Sequence, residues 1–450
     1  MKLADIQKVY LIGIGGIGMS GLARYFHQKG CLVCGYDKTE TALTKALVAE
    51  GISVVYEDSL TSIPTDFQKN TESTLIIYTP AVPTNSQILQ FFTQNGFPLK
   101  KRSQVLGILS EGMFTIAVAG THGKTTTSCL IAHILKSSGN DCSAFLGGIS
   151  SNYNTNVLFG ENNVMVVEAD EYDRSFLALH PDVAIVTSMD ADHLDIYGDE
   201  DHLTQSFQRF ASQIKPDGKL VKKLGLDLQG GKTYSITGNA DAQAENIRIE
   251  NGTFVFDFKN ETIDLKGLIL GLPGQHNIEN AVAAIEVALL MDIDVDRIRE
   301  ALHSFKGVKR RFEYQLKADK IYVDDYAHHP EELRACFKAI RTLYPDRKLT
   351  AIFQPHLFSR TRDFADNFAE VLSTVDDLVL LEIYPARELP IPNISSQMLL
   401  DKITLGNKRI CTKQETLDYI KKQQPQLLVT VGAGDIDTLV EPLKIILQNA

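Results

Sequence analysis

Six cysteines in 450 residues are too few for a disulfide framework. Cys31 and Cys34 form a C-x-x-C, but no second cysteine or histidine pair stands nearby to complete a zinc site. The apolar run CLVCGY around them reads as a strand. A basic surplus is also missing: 45 Lys and Arg against 56 Asp and Glu give a net charge of −11, which argues against a nucleic-acid partner. Small anionic ligands stay open, because local backbone NH groups hold phosphates whatever the global charge. No run approaches the ~18 apolar residues of a membrane span. The opening VYLIGIGGIGMSG is interrupted by glycines and lacks the layout of a signal peptide. These absences lead to the expectation of a cytoplasmic protein with no membrane partner, its oligomeric state left open.

What is present is an ordinary globular composition, 44% hydrophobic and 22% charged. At roughly 150 residues per domain, the length predicts about three domains. Short β-branched runs alternate with helical stretches: KVYLIGIG, CLVCGYD, ISVVYE and STLIIYTP first, then MFTIAVAG, VMVVEAD and DVAIVTSMD. Such alternation predicts parallel sheets with right-handed crossovers. IRIENGTFVFDF and ETIDLKGLIL change the texture, alternating polar and apolar residues around Asn-Gly, and predict a small antiparallel insert. After GVKRRFE, the runs KIYVDDY, KLTAIFQ, DDLVLLEIY and QLLVTVG predict a third α/β unit.

Between the strand MFTIAVAG and the helix that follows lies Gly120-Thr121-His122-Gly123-Lys124-Thr125, with Thr126 behind it. Backbone NH groups of such a loop, backed by a helix N-terminus, cradle a triphosphate. Lys124 would reach the β- and γ-phosphates, and the Thr125 hydroxyl would meet Mg²⁺. Val118 stands where the longer G-x-x-x-x-G-K form has its first glycine. Glu168 ends the strand VMVVE and His193 follows the next strand, both at carboxyl ends where α/β sheets place ligands. A carboxylate and an imidazole there could complete a Mg²⁺ shell. Taken singly, Glu168 reads equally as a cap of the turn that follows it, and His193 as a partner of Asp195.

GTHGKTTT, EADEYDRSFL, DADHLD, GQHNIENA, GVKRRFE, VDDYAHHPEE and FQPHLFSRTRDF, in that order, resemble the Mur ligases, which build the peptide stem of peptidoglycan. The resemblance runs from about residue 8 to about residue 436. The opening GIGGIGMSG and DDYAHHP look most like the branch that adds L-alanine to UDP-N-acetylmuramate. The fold it implies is α/β in three domains: a Rossmann-like UDP-sugar domain over 1–107, a central P-loop ATPase over 108–312, and a Rossmann-like C-terminal domain over 313–450. The implied chemistry is an ATP-dependent ligation. ATP phosphorylates the lactyl carboxylate, the amine of L-alanine attacks the acyl phosphate, and ADP and phosphate leave.

The resemblance also implies roles. Lys124 is the phosphate lysine, and Thr125, Glu168 and His193 are metal-site residues. His276, Asn277 and Asn280 match an H-N-x-x-N near the ATP base, although Asn277 also reads as the N-cap of a helix. Arg311 reaches the nucleotide phosphates and Asp325 serves the nucleotide, while Tyr326, His328 and Arg360 serve the alanine, Arg360 as a carboxylate clamp. Two departures stand out. Leu357 follows the histidine of FQPH where some relatives have arginine, and QSFQRFA lacks the lysine that several Mur ligases carbamylate.

Gly13-x-Gly15-x-x-Gly18, with Gly16 and Ile17 inside it and Asp37 some 19 residues on, is formally a dinucleotide fingerprint. An NAD-dependent oxidoreductase is therefore the rival from another class. UDP carries a pyrophosphate too, and GTHGKT has no place in a dehydrogenase, so these residues are assigned to the UDP-sugar. Thr79 in YTPAV, at a strand end in the same unit, is a further sugar-nucleotide candidate and reads equally as a simple strand-terminating turn. Two further readings stand beside the ligase: a nucleotide switch that hydrolyses ATP without joining anything, and a ligase that recycles a preformed peptide onto UDP-N-acetylmuramate.

Overall fold

Twenty-one strands in the computed structural model, which describes residues 3–190, 200–386 and 388–449, assemble into three sheets. The first contains β1 (Lys8–Ile12), β2 (Leu32–Tyr36), β3 (Ser53–Val55), β4 (Thr74–Tyr78) and β5 (Leu99–Lys101), all parallel in the order β3-β2-β1-β4-β5. The chain runs outward from β1 to β3 and then returns to the other side of β1 as β4. The crevice between β1 and β4 is thus a topological switch point, where open α/β sheets bind their ligands.

The second sheet contains β6 (Phe114–Ala119), β7 (Ser143–Ser150), β8 (Thr155–Leu158), β9 (Val164–Glu168), β10 (Val183–Val186), β11 (Lys219–Lys223), β12 (Lys232–Ser235), β13 (Ala242–Glu250), β14 (Thr253–Asn260) and β15 (Asp264–Leu270). Their order is β15-β14-β13-β12-β11-β10-β6-β9-β7-β8. β6 lies inside the sheet, parallel to β10 on one side and to β9 on the other. β13 and β14 are joined by only Asn251 and Gly252, with φ of 52° and 71°, the backbone that a two-residue hairpin turn requires. The antiparallel insert is therefore present, and it extends this sheet through the parallel pair β12 and β13.

β7 and β8 do not stand out in the sequence, because Gly147-Gly148 reads as a turn. Gly147 is in fact the place where the Glu168 carboxylate comes against the strand. A Cβ there would overlap it.

The third sheet contains β16 (Glu313–Lys317), β17 (Ile321–Asp325), β18 (Leu349–Phe353), β19 (Asp377–Leu380), β20 (Lys408–Ile410) and β21 (Leu427–Val431), ordered β16-β17-β21-β18-β19-β20. Only β16 is antiparallel to its neighbour. β17, β18 and β21 are buried throughout, as strands covered on both faces must be.

Each sheet centres one of three α/β domains. By packing, the chain divides into two compact units, Met1–Asn246 with Phe256–Leu268 and Glu279–Phe305, and Ile247–Val255 with Ile269–Ile278 and Lys306–Ala450. The first unit joins the first sheet to most of the second because one helix serves both. Ile17–Gln28 buries Met19, Leu22 and Phe26 in a core that also holds Val9 and Leu11 of β1, Phe145 of β7 and Val157 of β8. Asn156, on β8, fastens the contact: its amide donates to Ser20 Oγ (3.0 Å) and to the Ile17 carbonyl, and its oxygen accepts from Arg24 (2.6 Å). Among the described residues no helix is long and apolar enough to cross a membrane.

Candidate active site

The carboxyl ends of β6, β9 and β10 carry the first cluster. β6 runs into Gly120–Gly123, and the helix Lys124–Ser138 begins at once, with Thr125 through Leu135 all buried. Gly120 (φ 134°) and Gly123 (φ 82°) occupy backbone that favours glycine, and each also admits a neighbour. A Cβ on Gly120 would collide with the Thr187 hydroxyl and meet Ser188 N at 2.8 Å. One on Gly123 would meet the Asn280 side-chain oxygen at 2.7 Å.

The loop is braced by the end of β10. His122 N–H donates to Ser188 Oγ at 2.7 Å, Thr121 Oγ1 and Ser188 Oγ are 2.9 Å apart, and Asp190 N–H donates to Thr121 Oγ1 at 3.1 Å. Thr187 bonds the Ala119 carbonyl at 3.1 Å and the carbonyl of His122 as well. Thr121, Thr125 and Thr126 are buried. His122 Nε2 stands 3.9 Å from Asp190.

Lys124 Nζ donates to the Gly120 carbonyl at 2.6 Å and pairs with Glu171 Oε2 at 2.8 Å. Burial works to lower the Lys124 pKa, but the charges of Glu171, Asp170 and Glu168 together outweigh it, and the net shift is upward. The lysine is therefore held as a cation at the mouth of the loop. Glu168, at the end of β9, accepts the Gly147 N–H at 3.1 Å, a tie across to β7. His193 lies outside the described residues.

At the switch point of the first sheet, Gly16 caps the helix Ile17–Gln28. Gly15 N–H donates to Asp37 Oδ2 at 2.7 Å, and Asp37 Oδ1 accepts Thr39 N–H at 3.1 Å. Asp37 thus holds the glycine loop by its amide, where a dinucleotide fingerprint would turn the acid to a ribose. Thr79 follows β4 and packs on Gly13, its methyl 2.7 Å from where a Cβ would be. Gly18 faces the Arg102 guanidinium.

The second unit gathers the other cluster at the ends of β17, β18 and β21. Asp325 ends β17 and accepts N–H groups from Phe312 (2.7 Å) and Ala327 (2.8 Å). Burial pushes its pKa up to about 6 even though Arg311 and the two amides work against the shift. Arg310 and Arg311 lie over the Tyr326 ring, at 5.2 and 5.4 Å from its centroid. Arg310 also reaches Asp324 (3.0 Å) and the Gly432 carbonyl (2.7 Å), which ties KRRF to β17 and β21. Glu332 accepts from Arg311 (3.4 Å) and from the His328 N–H (3.0 Å).

His328 is packed edge-on against Tyr326 (5.3 Å) and His356 (5.8 Å), and His356 stacks on Tyr384 (5.8 Å). Burial lowers the His328 pKa to about 4, with Glu332 opposing and Arg360 assisting. Arg360 lies on the helix Phe358–Asp363, which begins after Leu357, a non-glycine residue at φ 71°. The structure thus brings Arg311, Asp325, Tyr326, His328 and Arg360 into one neighbourhood. His276 is exposed near the start of the helix Gln275–Leu290. Asn277 is not its N-cap: it is the third helical residue, buried, with its amide donating to the Pro273 carbonyl at 2.5 Å.

Glu171, Thr187, Ser188 and Arg310 escape a sequence reading. Glu171 was within reach, since EADE places a second acid three residues after Glu168. Ser188 had no such signal.

A G-x-x-G-K-T loop at the end of a parallel sheet, with one α/β domain before it in the chain and another after it, has the build of a nucleotide-dependent enzyme. Three family models match in series: "Mur ligase family, catalytic domain" over 8–113, "Mur ligase middle domain" over 118–288 and "Mur ligase, glutamate ligase domain" over 310–434. The chain belongs to the Mur ligase family, whose members form amide bonds with ATP. It is 51% identical to a UDP-N-acetylmuramate–L-alanine ligase of Flavobacterium johnsoniae over 450 residues, covering 100% of both chains. It is 50% identical to the ligase of the same name from Christiangramia forsetii, over 98% of each chain. Among solved structures, the UDP-N-acetylmuramate–alanine ligase of Thermotoga maritima superposes with a TM-score of 0.84 at 27% identity, covering 98% of this chain and 99% of that one.

Proposed function

We propose that this ligase joins L-alanine to the lactyl carboxylate of UDP-N-acetylmuramate, with ATP as phosphoryl donor and an acyl phosphate as intermediate. The observation that carries this reading is the end-to-end identity of 51% with a ligase of that name. The phosphate loop alone would not separate the alanine-adding branch from other Mur ligases. The recycling branch is less well supported, since a murein peptide ligase from Psychrobacter arcticus has a TM-score of 0.70 and 23% identity.

Phosphoryl transfer to a carboxylate brings two anions together, so the residues assigned to it are cations and NH donors. Gly120 to Thr126 cradle the phosphates. Lys124 exchanges Glu171 for the β- and γ-phosphates, and Arg311 adds a second charge. His276, Asn277, Asn280 and Asp325 are assigned to the nucleotide, and Gly15, Gly16, Ile17, Gly18 and Thr79 to the UDP-sugar, with Asp37 holding their loop.

Mg²⁺ asks for only one or two carboxylates beside phosphate and water. The Thr125 hydroxyl, in the first turn of the helix after β6, and the Glu168 carboxylate, at the end of the neighbouring β9, fit that demand, although among the described residues no cluster of three acidic, His or Cys side chains could hold a metal. With His193 they would hold the ion, whose charge would screen the phosphates. Arg360 clamps the alanine carboxylate, and neutral His328 and Tyr326 stand beside it, so the amine can lose its proton without a neighbouring imidazolium. We place the enzyme in the cytoplasm, in keeping with six cysteines that are all free.

The test is phosphate release from MgATP with UDP-N-acetylmuramate, scanning single amino acids and one stem tripeptide. Release that needs both the UDP-sugar and L-alanine is the expected result. Release with the tripeptide alone would move the chain to the recycling branch, and release without any acceptor would replace the ligase with a nucleotide switch.

A further inference from the structure

Arg102 is the first residue of the helix Arg102–Gly112, directly after β5. Its guanidinium packs on Gly18, the last glycine of the fingerprint, so closely that a Cβ at Gly18 would collide with Nη1 and lie 3.1 Å from Cζ. That glycine is kept small here to admit an arginine. On its other side, Arg102 Nη2 is 3.4 Å from Asp170 Oδ2, between Glu168 and the Glu171 that holds Lys124. Arg102 therefore bridges the glycine loop and the acids beside the phosphate lysine.

The Arg102–Asp170 pair is looser than a structural ion pair in the same unit. Arg24 grips Glu50 with two bonds of 2.6 and 2.7 Å, within the usual charge-assisted range, whereas Arg102 reaches Asp170 only at 3.4 Å. Its side chain keeps 21% of its surface open and that of Asp170 37%, so a ligand oxygen can replace the carboxylate. The guanidinium fork suits a phosphate or a carboxylate.

We propose that Arg102 binds an anionic group of the acceptor substrate, either the diphosphate or the lactyl carboxylate of the UDP-sugar. The inference rests on the ligase reading above. Calorimetric binding of UDP, UDP-N-acetylglucosamine and UDP-N-acetylmuramate to the wild-type chain and to Arg102→Ala tests it, with ADP binding as the measure of an intact first unit and Arg102→Lys as the conservative variant.

The expected result is a 10- to 100-fold loss of UDP-N-acetylmuramate affinity in Arg102→Ala, partly recovered in Arg102→Lys, with ADP affinity kept within twofold. A loss shared by all three uridine ligands assigns the contact to the diphosphate, and a loss confined to UDP-N-acetylmuramate assigns it to the carboxylate. Unchanged affinity for all three overturns the inference, and so does a loss of ADP binding in Arg102→Ala and Arg102→Lys alike, which would make the residue structural. A wild-type chain that binds none of the uridine ligands would instead overturn the ligase reading.

Discussion

Lys124 Nζ lies 2.8 Å from Glu171 Oε2, and the glutamate side chain is 1% exposed. On the proposed assignment of Lys124 to the ATP phosphates, Glu171 is the resident anion that the phosphates would replace. Removing Glu171 leaves buried Lys124 with only the charges of Asp170 and Glu168, a loss of up to about 3 kcal/mol. Glu171→Ala should therefore lower stability in denaturant titrations, and MgATP should restore more stability to it than to the wild type. An equal MgATP effect in both would refute the exchange. Lys124→Ala should cut ATP-dependent ligation by about a hundredfold or more while the fold persists.

Glu168 accepts the Gly147 N–H at the end of β9, beside the loop that leads to Thr125. Glu168→Gln keeps the shape and removes the charge. It should raise the Mg²⁺ concentration for half-maximal turnover by about tenfold, and His193→Ala should shift it in the same direction. A Mg²⁺ titration identical to that of the wild type would take the residue out of the metal site.

The loop around Lys124 was legible because its demands are local: two glycines, a lysine and a hydroxyl at fixed spacing between strand and helix. Its braces were not. Ser188 and Thr187 matter only because β10 lies beside β6, and Glu171 because β9 lies on the other side, facts of strand order that no short motif carries. Asp37 was found by its spacing, but spacing could not say that its carboxylate turns to the Gly15 amide. Asn277 reads as a cap because Gly274 and Gln275 give no stronger start signal. The glycine at φ 107° lets the helix begin three residues earlier, at Gln275 rather than Ile278. A strand covered on both faces such as β21 was plain from an apolar run broken only by Thr430, whereas β7 was hidden by its two glycines.

His328 supplies a pH dependence with a definite sign. Its pKa falls from the ordinary 6.5 to about 4 in the folded chain, so between those values the unfolded chain binds the extra proton. Stability is unaffected above pH 6.5 and declines as the pH drops toward 4. Asp325, pushed up to about 6, works in the opposite direction between its ordinary value and 6, so only a comparison of variants isolates the histidine. His328→Gln should lose less stability than the wild type between pH 7 and pH 4.5, by about 2 kcal/mol. That is less than the full shift implies, because the ring keeps part of its surface in water. Parallel losses in urea titrations at the two pH values would show that the ring is not held neutral.

Leu357 sits at φ 71° and ψ 136°, a region costly for any residue with a Cβ, one residue after His356 and three before Arg360. Its N–H is donated to the Tyr384 carbonyl at 3.0 Å, and its own carbonyl accepts from the Thr361 hydroxyl at 2.7 Å. These bonds hold the strained turn and with it the direction of the short helix that carries Arg360. Leu357→Gly removes the strain but frees the unfolded chain, so stability should rise by only about 1 kcal/mol or less. With the turn loosened, the KM for L-alanine should rise several-fold while the KM for ATP stays put. Arg360→Ala should go further in the same direction, about 10- to 100-fold in the KM for L-alanine. If both variants raised the two KM values equally, Arg360 would have no specific part in holding the amino acid, and the strain at Leu357 would have no bearing on alanine binding.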